Sequence, residues 1–419
     1  MPIRVVPGGR IRYFRRMEPV DHPIESGETC DAKQGNPRFV VTPVDPDLLP
    51  DGTSKPWPMR RRIVGWLIGW LFGRRRPRGK VPIDELQRVL LIRTDRLGDG
   101  VISTPVIAAL DQLTQAYGGQ INIDLLGSRH NAPLFAADRR VDTTFRWDLP
   151  IRDRLANLRA CRSRRHDLVL QLNLSRTTNL TILARLLAPN GHIVGRGHTY
   201  NSRLFDVVAP QSPHPHFIDQ TYDILLHAID WKEPPPPRPA PAIALPERMI
   251  EETDVLLKAA GLTVADRPLL LVNLSAGAID RSFGIERATT MVDQLAQLAV
   301  EKGWEIALSG GPDEQEKCAA ISERTGLPLL RFPSILHLGC AIERASLLVT
   351  PDTGPVHLAS AVGTETIAYY AEFDKPAGWG PLHGTTVVTE TDGDVNGVDI
   401  EEIIKAAARS VEKQARSGG

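Results

Sequence analysis

The chain is 419 residues long and 42% hydrophobic, which fits an ordinary soluble globular protein with room for two or three domains of roughly 150 residues each. Its 50 basic residues balance its 50 acidic ones, so overall charge selects no partner, and nothing points to nucleic acid. Four cysteines (Cys30, Cys161, Cys318, Cys340) lie far apart with no CxxC, which argues against a disulfide framework or a zinc site and fits reduced thiols in the cytosol.

The opening MPIRVVPGGRIRYF lacks the apolar core and small-residue cleavage site of a secretory signal. Residues 1–58 read as an irregular extension, rich in Pro, Asp and Gly. The next segment, 59–82, contains MRRRIVGWLIGWLFGRRRPRGK, with eight basic groups and no acid across 60–80. Its apolar run would rise about 1.5 Å per residue as a helix, far short of a hydrocarbon core of roughly 30 Å. Trp66, Leu67, Trp70 and Leu71 give a bulky face, and Gly65, Gly69 and Gly73 a small one. Such a helix can dock on the first domain, pack on another chain, or lie in a membrane interface. Arg clusters at both ends with Trp between them favour the interfacial anchor.

From Gln87 the texture changes. RVLLIRTD reads as a buried parallel strand, VISTPVIAALDQLTQAYG as a helix, and INIDLLG as a second strand. HDLVLQLN, after the Arg-rich helical stretch RDRLANLRACRSRR, reads as another strand. The proline-rich KEPPPPRPAPAIALPE follows, and the boundary between an 83–240 domain and a 241–419 domain is expected there. The alternation then restarts with the strands RPLLLVNLS, WEIALSGG, ASLLVTPDTG and TETIAYYAEFD. The helices ATTMVDQLAQLAVEKG, DEQEKCAAISERTG and PVHLASAVG lie between them. VDIEEIIKAAARSVEK closes the chain, with Asp399 and Glu402 at capping-box spacing. Strands alternating with helices imply parallel sheets, so two Rossmann-like domains facing across a cleft are expected.

Three strand-to-helix turns carry candidate chemistry. In the first, GDGVIS (98–103) resembles a dinucleotide fingerprint with Asp124 some twenty residues on. A pyrophosphate on that helix end would meet the like charge of Asp99, and Asp124 lies inside its strand rather than at the end. Asp99 is therefore either a structural N-cap near the positive helix end or a general base aimed into the cleft. In the second, TPDTGPVHLASAVG, Gly354 and Pro355 suit a helix start, whose N–H groups form a phosphate site unless Asp352 and Thr353 only cap it. In the third, NLSAGAIDRSFG, Ser275, Gly277 and Arg281 follow a strand; Arg281 either forks onto a diphosphate or is a solvated surface Arg.

Two motifs are decoys. DGDVNGVDIEEI starts like a calcium loop, but position twelve is Ile403 where a bidentate Glu is needed. Asp45 and Asp47 form a DxD inside the irregular extension. No metal and no cofactor is expected.

Taken together, LLIRTDRLGDGVISTPVIAAL, RRHDLVLQLNLSRTTNLTILARLL, IALSGGPDEQE and VTPDTGPVHLASAVGTETIAYYAEFDKPAGWGP resemble glycosyltransferase family 9, the lipopolysaccharide heptosyltransferases of Gram-negative bacteria. The likeness covers about 88–413. It implies a GT-B fold, an ADP-heptose donor, inversion at the sugar carbon and a lipid-linked, anionic core acceptor. It also implies that Asp99 matches the proposed base and that Asp352, Thr353, Gly354 and His357 match the donor loop. Arg176 is expected to bind the acceptor. Departures lie on the donor side: Arg281 stands for the usual Lys, Phe283 for Trp, Asn273 for a common His, and AEFDKP for GPTDP. The expected location is cytoplasmic, peripheral on the inner membrane. The rival is a sugar-nucleotide binder or assembly protein without catalysis, or a nucleotide-sugar epimerase of the same fold, since fold alone does not decide function.

Overall fold

The computed structural model describes residues 11–12, 63, 66–68, 70–71, 77–117, 120–174, 178–196, 203–263, 266–276, 279–389 and 393–417. Within the first 58 residues only Ile11–Arg12 is described, a two-residue strand antiparallel to Leu245–Pro246. The expectation of an irregular extension, and the DxD at Asp45 and Asp47, otherwise fall outside the described residues.

The aliphatic run RVLLIR forms β1 (Arg88–Arg93). Beside it lie β2 (Asn122–Gly127), β3 (Thr143–Arg146), β4 (Leu168–Gln171), β5 (His192–Gly195) and β6 (Val207–Val208). All pair in parallel, in the order β3-β2-β1-β4-β5-β6. Successive side chains of a strand point to opposite faces, and here both faces are covered. Val89 and Leu91 pack with Val106 and Leu110 of α2 (Thr104–Tyr117), which follows the short α1 (Leu97–Val101). Leu90 and Ile92 pack on the other side with residues of α4 (Ile151–Ser163) and α5 (Thr178–Leu187), downstream of the short α3 (Ala132–Ala136). Burial on both faces is why the strand reads as an unbroken apolar run rather than an alternating one. Helix α6 (Phe217–Ala228) completes the first side.

After residues 232–244, which carry no helix or strand, the architecture repeats. Strands β7 (Leu269–Asn273), β8 (Glu305–Ser309), β9 (Leu329–Leu330), β10 (Leu347–Pro351), β11 (Glu365–Tyr370) and β12 (Gly384–Val388) form a second parallel sheet. Its order, β9-β8-β7-β10-β11-β12, is that of the first sheet. Around it stand α7 (Glu247–Ala259), α8 (Ile285–Glu301), α9 (Gln315–Thr325), α10 (Ile335–Arg344), α11 (Gly354–Val362), the short α12 (Lys375–Trp379) and α13 (Ile400–Ser417). Asp399 caps α13 by accepting the Glu401 N–H at 2.9 Å. The fold is GT-B: two Rossmann-like domains face each other. The unforeseen strands β3, β5, β6 and β9 have four residues or fewer and lie at or next to sheet edges, too short to print a period.

The chain order of each sheet reverses between its first and fourth strands, β1/β4 and β7/β10. In open parallel sheets, ligands bind beyond the carboxyl ends of strands at this reversal. All three turns singled out in the sequence lie there, after β1, β7 and β10. The domains also share core, because Val101 and Leu134 of the first pack with Leu336, Leu358 and Ala359 of the second.

Candidate active site

The two switch points meet directly. A Cβ on Gly98 would lie 2.5 Å from the His357 ring, and one on Gly354 would lie 2.8 Å from the Leu97 side chain. Glycine at both positions lets the first turns of α1 and α11 touch, one from each domain. A second interdomain contact sits beside the first. His216 Nε2 lies 3.1 Å from the Gly380 carbonyl oxygen, and the Phe217 and Trp379 rings are 4.5 Å apart.

Asp99 is the third residue of α1, and its side chain is 18% exposed. Oδ1 accepts from Arg93 Nη2 at 2.8 Å, and Oδ2 accepts the Arg96 backbone N–H at 3.2 Å. Asp99 is thus the third-position member of a capping box whose N-cap is Arg96, not the N-cap itself, and it keeps an exposed edge. Burial raises its pKa above the usual carboxylate value, with Asp95 adding to the rise and the Arg93 and Arg96 charges opposing it. A carboxylate so placed is a stronger proton acceptor than a surface aspartate.

Opposite it, Thr353 is the N-cap of α11, with Gly354 as the first helical residue and Pro355 behind it. The first N–H groups of such a helix have no partner within it. Asp352 precedes them, flanked by Arg281 Nη1 at 3.7 Å and Lys375 Nζ at 4.0 Å. Burial raises the Asp352 pKa, while Lys375, Arg281 and, from the other domain, Arg96 oppose the rise. Arg281, its side chain 31% exposed, thus stands beside the helix end.

Two other candidates have structural engagements. Ser275 Oγ, buried, accepts the Gly311 N–H, and Asn273 Nδ2 donates to the Ser275 carbonyl at 2.8 Å and to Thr350 Oγ1 at 2.9 Å. These bonds tie the end of β7 and the turn after it to the turn after β8 and to the end of β10. His357 is buried against Gly98 and Trp379, and desolvation lowers its pKa to about 3. It is neutral near pH 7, so it cannot act as a cation toward a diphosphate there. Gly277 and Arg176 lie outside the described residues.

Sequence reasoning missed Arg93 and Lys375. A signal existed for the first, an Arg closing the otherwise aliphatic run LLIR; Lys375 lay in AEFDKP, noted only as a departure. Asp124, weighed for ribose, is buried and bound to Arg164 Nε at 2.8 Å and His166 Nε2 at 2.9 Å, inside β2. Cys161, Cys318 and Cys340 are buried free thiols.

Residues 154–394 match the family model of glycosyltransferase family 9 (heptosyltransferase). No curated protein matches the chain in sequence. Among solved structures, a family 9 glycosyltransferase from Veillonella parvula superposes with a TM-score of 0.65 at 18% identity, covering 78% of this chain and 97% of that one. E. coli heptosyltransferase WaaC with ADP superposes at 0.60 and 18% identity, over 77% of this chain and all (100%) of that one. E. coli ADP-heptose lipopolysaccharide heptosyltransferase II gives 0.60 and 18%, over 78% and 100%.

Proposed function

The chain belongs to glycosyltransferase family 9, and from that premise we propose an inverting, metal-independent transfer of a heptose or related sugar from an ADP-sugar to a lipopolysaccharide-core acceptor. The observation that carries this reading is the contact of α1 with α11, which brings the Asp99 turn of one domain against the Asp352–Gly354 turn of the other. Asp99 takes the proton of the acceptor hydroxyl. The hydroxyl oxygen forms its bond to the anomeric carbon on the face opposite the diphosphate, and the carbon–oxygen bond to the β-phosphate breaks with its electron pair leaving on ADP. The first turn of α11, with Arg281 and Lys375, receives that negative charge. Ser275 and Asn273 hold the neighbouring turns in place. Similar structures with ADP and with ADP-2-deoxy-2-fluoro heptose support an ADP-sugar donor. Among the described residues, no three His, Cys, Asp or Glu side chains are grouped to hold a metal.

Incubating the protein with ADP-heptose and a deacylated core acceptor, with and without exhaustive chelation, tests the proposal by mass spectrometry. The expected result is an acceptor heavier by one heptose at a rate chelation leaves unchanged. An absolute need for added magnesium or manganese overturns metal independence, and no transfer while another nucleotide sugar is used overturns the donor. Arg281→Ala is expected to weaken ADP binding about 10- to 100-fold, the range for a hydrogen bond to a charged group. Calorimetry checks this, and unchanged affinity returns Arg281 to the solvated surface.

We further propose that residues 59–80 hold the enzyme on the cytoplasmic face of the inner membrane, where its acceptor is made. Residues 63, 66–68 and 70–71 are helical. Ile68 packs against the core under α4 and α5, while Trp66, Trp70 and Leu71 are 57%, 64% and 63% exposed. The helix thus docks by one side and presents its bulky apolar side outward, as an interfacial helix does. Among the described residues, no helix is long and apolar enough to cross a membrane.

A further inference from the structure

Arg93 is fully buried, at 0% exposure, at the end of a strand whose inner residues are aliphatic. Strand packing alone does not call for a guanidinium there; an aliphatic side chain needs no partner, whereas a buried cation does. Its contacts all lead to the cleft. Nη2 donates to Asp99 Oδ1 at 2.8 Å, and Nε donates to the Asp99 carbonyl at 2.9 Å. Nη1 donates to the Leu172 carbonyl just beyond β4 and stands 3.9 Å from Asp95 Oδ2. One side chain therefore ties the end of β1 to the first turn of α1 and to the exit of β4, the three sides of the N-terminal switch point.

We infer that Arg93 is the positioning residue of the catalytic base, fixing the Asp99 rotamer through Oδ1 and the helix turn through the Asp99 carbonyl, and keeping the carboxylate ionised. This rests on the reading of Asp99 as the base. Each carboxylate oxygen has two lone pairs, so the Arg93 bond and the 3.2 Å bond from Arg96 leave acceptor capacity for the hydroxyl proton. The other groups around Asp99 do not replace Arg93. Asp95 pushes the Asp99 pKa up, and Arg96, which pulls it down, is exposed to solvent. From α11, the titratable side chain against this turn is His357, neutral above about pH 3 and so without charge to offer. Burial and Asp95 thus press Asp99 toward its protonated, inactive form, and the enclosed Arg93 is the main force against them.

The experiment compares full-length wild type, Arg93→Met, Arg93→Lys and Asp99→Asn by the pH dependence of kcat/KM, with ADP affinity and thermal melting measured beside it. Arg93→Met is expected to lower kcat/KM at neutral pH at least 10-fold. It should also move the acid limb about one pH unit or more upward, since an opposite charge at this range lowers a carboxylate pKa by about 1–3, while ADP affinity is unchanged. Arg93→Lys restores the charge without the fork, so its acid limb returns toward the wild-type position with kcat still reduced. A folded Arg93→Met with the wild-type limb overturns the inference. Should Arg93→Met fail to fold, Arg93→Lys decides: reduced kcat on an unmoved limb supports it, and wild-type kcat overturns it. Asp99→Asn separates the two readings. If it stays active, the base assignment itself falls; if it is inactive while the Arg93 variants behave as wild type, only the role of Arg93 falls.

Discussion

Asp99→Asn is expected to lower turnover by about 10²- to 10⁴-fold, the usual contribution of a positioned proton acceptor. The amide keeps the size of the side chain, and its oxygen can still accept from Arg93, but it cannot take a proton from the acceptor hydroxyl. ADP affinity should be nearly unchanged, because the diphosphate contacts proposed above lie on α11, Arg281 and Lys375. The substitution also removes the anion 2.8 Å from a buried guanidinium, leaving Asp95 at 3.9 Å as its nearest carboxylate. A stability loss of about 1–3 kcal/mol is therefore expected, and activity must be compared well below the lowered melting temperature. Steady-state assays with the soluble acceptor are the measurement. A folded variant with more than a tenth of wild-type turnover would reduce Asp99 to a helix cap and the partner of Arg93. The wild-type enzyme carries a related expectation. Burial raises the Asp99 pKa, and a base works only when deprotonated, so activity should fall with acid at a pH above the ordinary aspartate value of about 3.9.

Replacing Trp66, Trp70 and Leu71 together by Ser is expected to abolish binding to anionic vesicles while sparing turnover on a water-soluble acceptor. A large apolar side chain contributes about 1.5–3 kcal/mol when fully buried. Even half-immersed, three of them amount to several kcal/mol, on the order of a hundredfold or more in partitioning. The eight basic residues of 60–80 add about 1 kcal/mol each near an anionic leaflet. High salt should therefore weaken wild-type binding without removing it. Co-sedimentation with vesicles, alongside the soluble-acceptor assay, measures both. Surface substitution is a cleaner test than deleting 1–80, because the end of the segment is built into the domain. The Arg78 N–H donates to Asp206 Oδ1 at 2.9 Å, and His192 Nδ1 lies 2.9 Å from the Gly79 carbonyl oxygen. Ile68, which packs inward, is left intact. Undiminished sedimentation of the triple variant would sink the anchor.

By itself the sequence determined what depends on local pattern. The long central strands β1, β7 and β10 show as aliphatic runs because both faces of each sheet are covered. Gly354 and Pro355 mark the start of α11, and the Asp399 cap marks that of α13, because helix ends impose backbone and hydrogen-bond requirements on neighbouring residues. Those rules brought all three chemical turns into view. Only the tertiary structure decided which turns touch and which groups carry charge. Gly98 meets His357 across more than 250 positions of chain, and Lys375 joins Arg281 around Asp352 by a return from β11. His357, grouped with the donor loop by resemblance, is neutral because that packing strips it of water. Arg93 becomes the partner of Asp99 because the strand end that holds it is enclosed beside Leu172. Ionisation and side-chain direction follow from desolvation and from partners distant in the chain, and neither is written in the order of neighbouring residues.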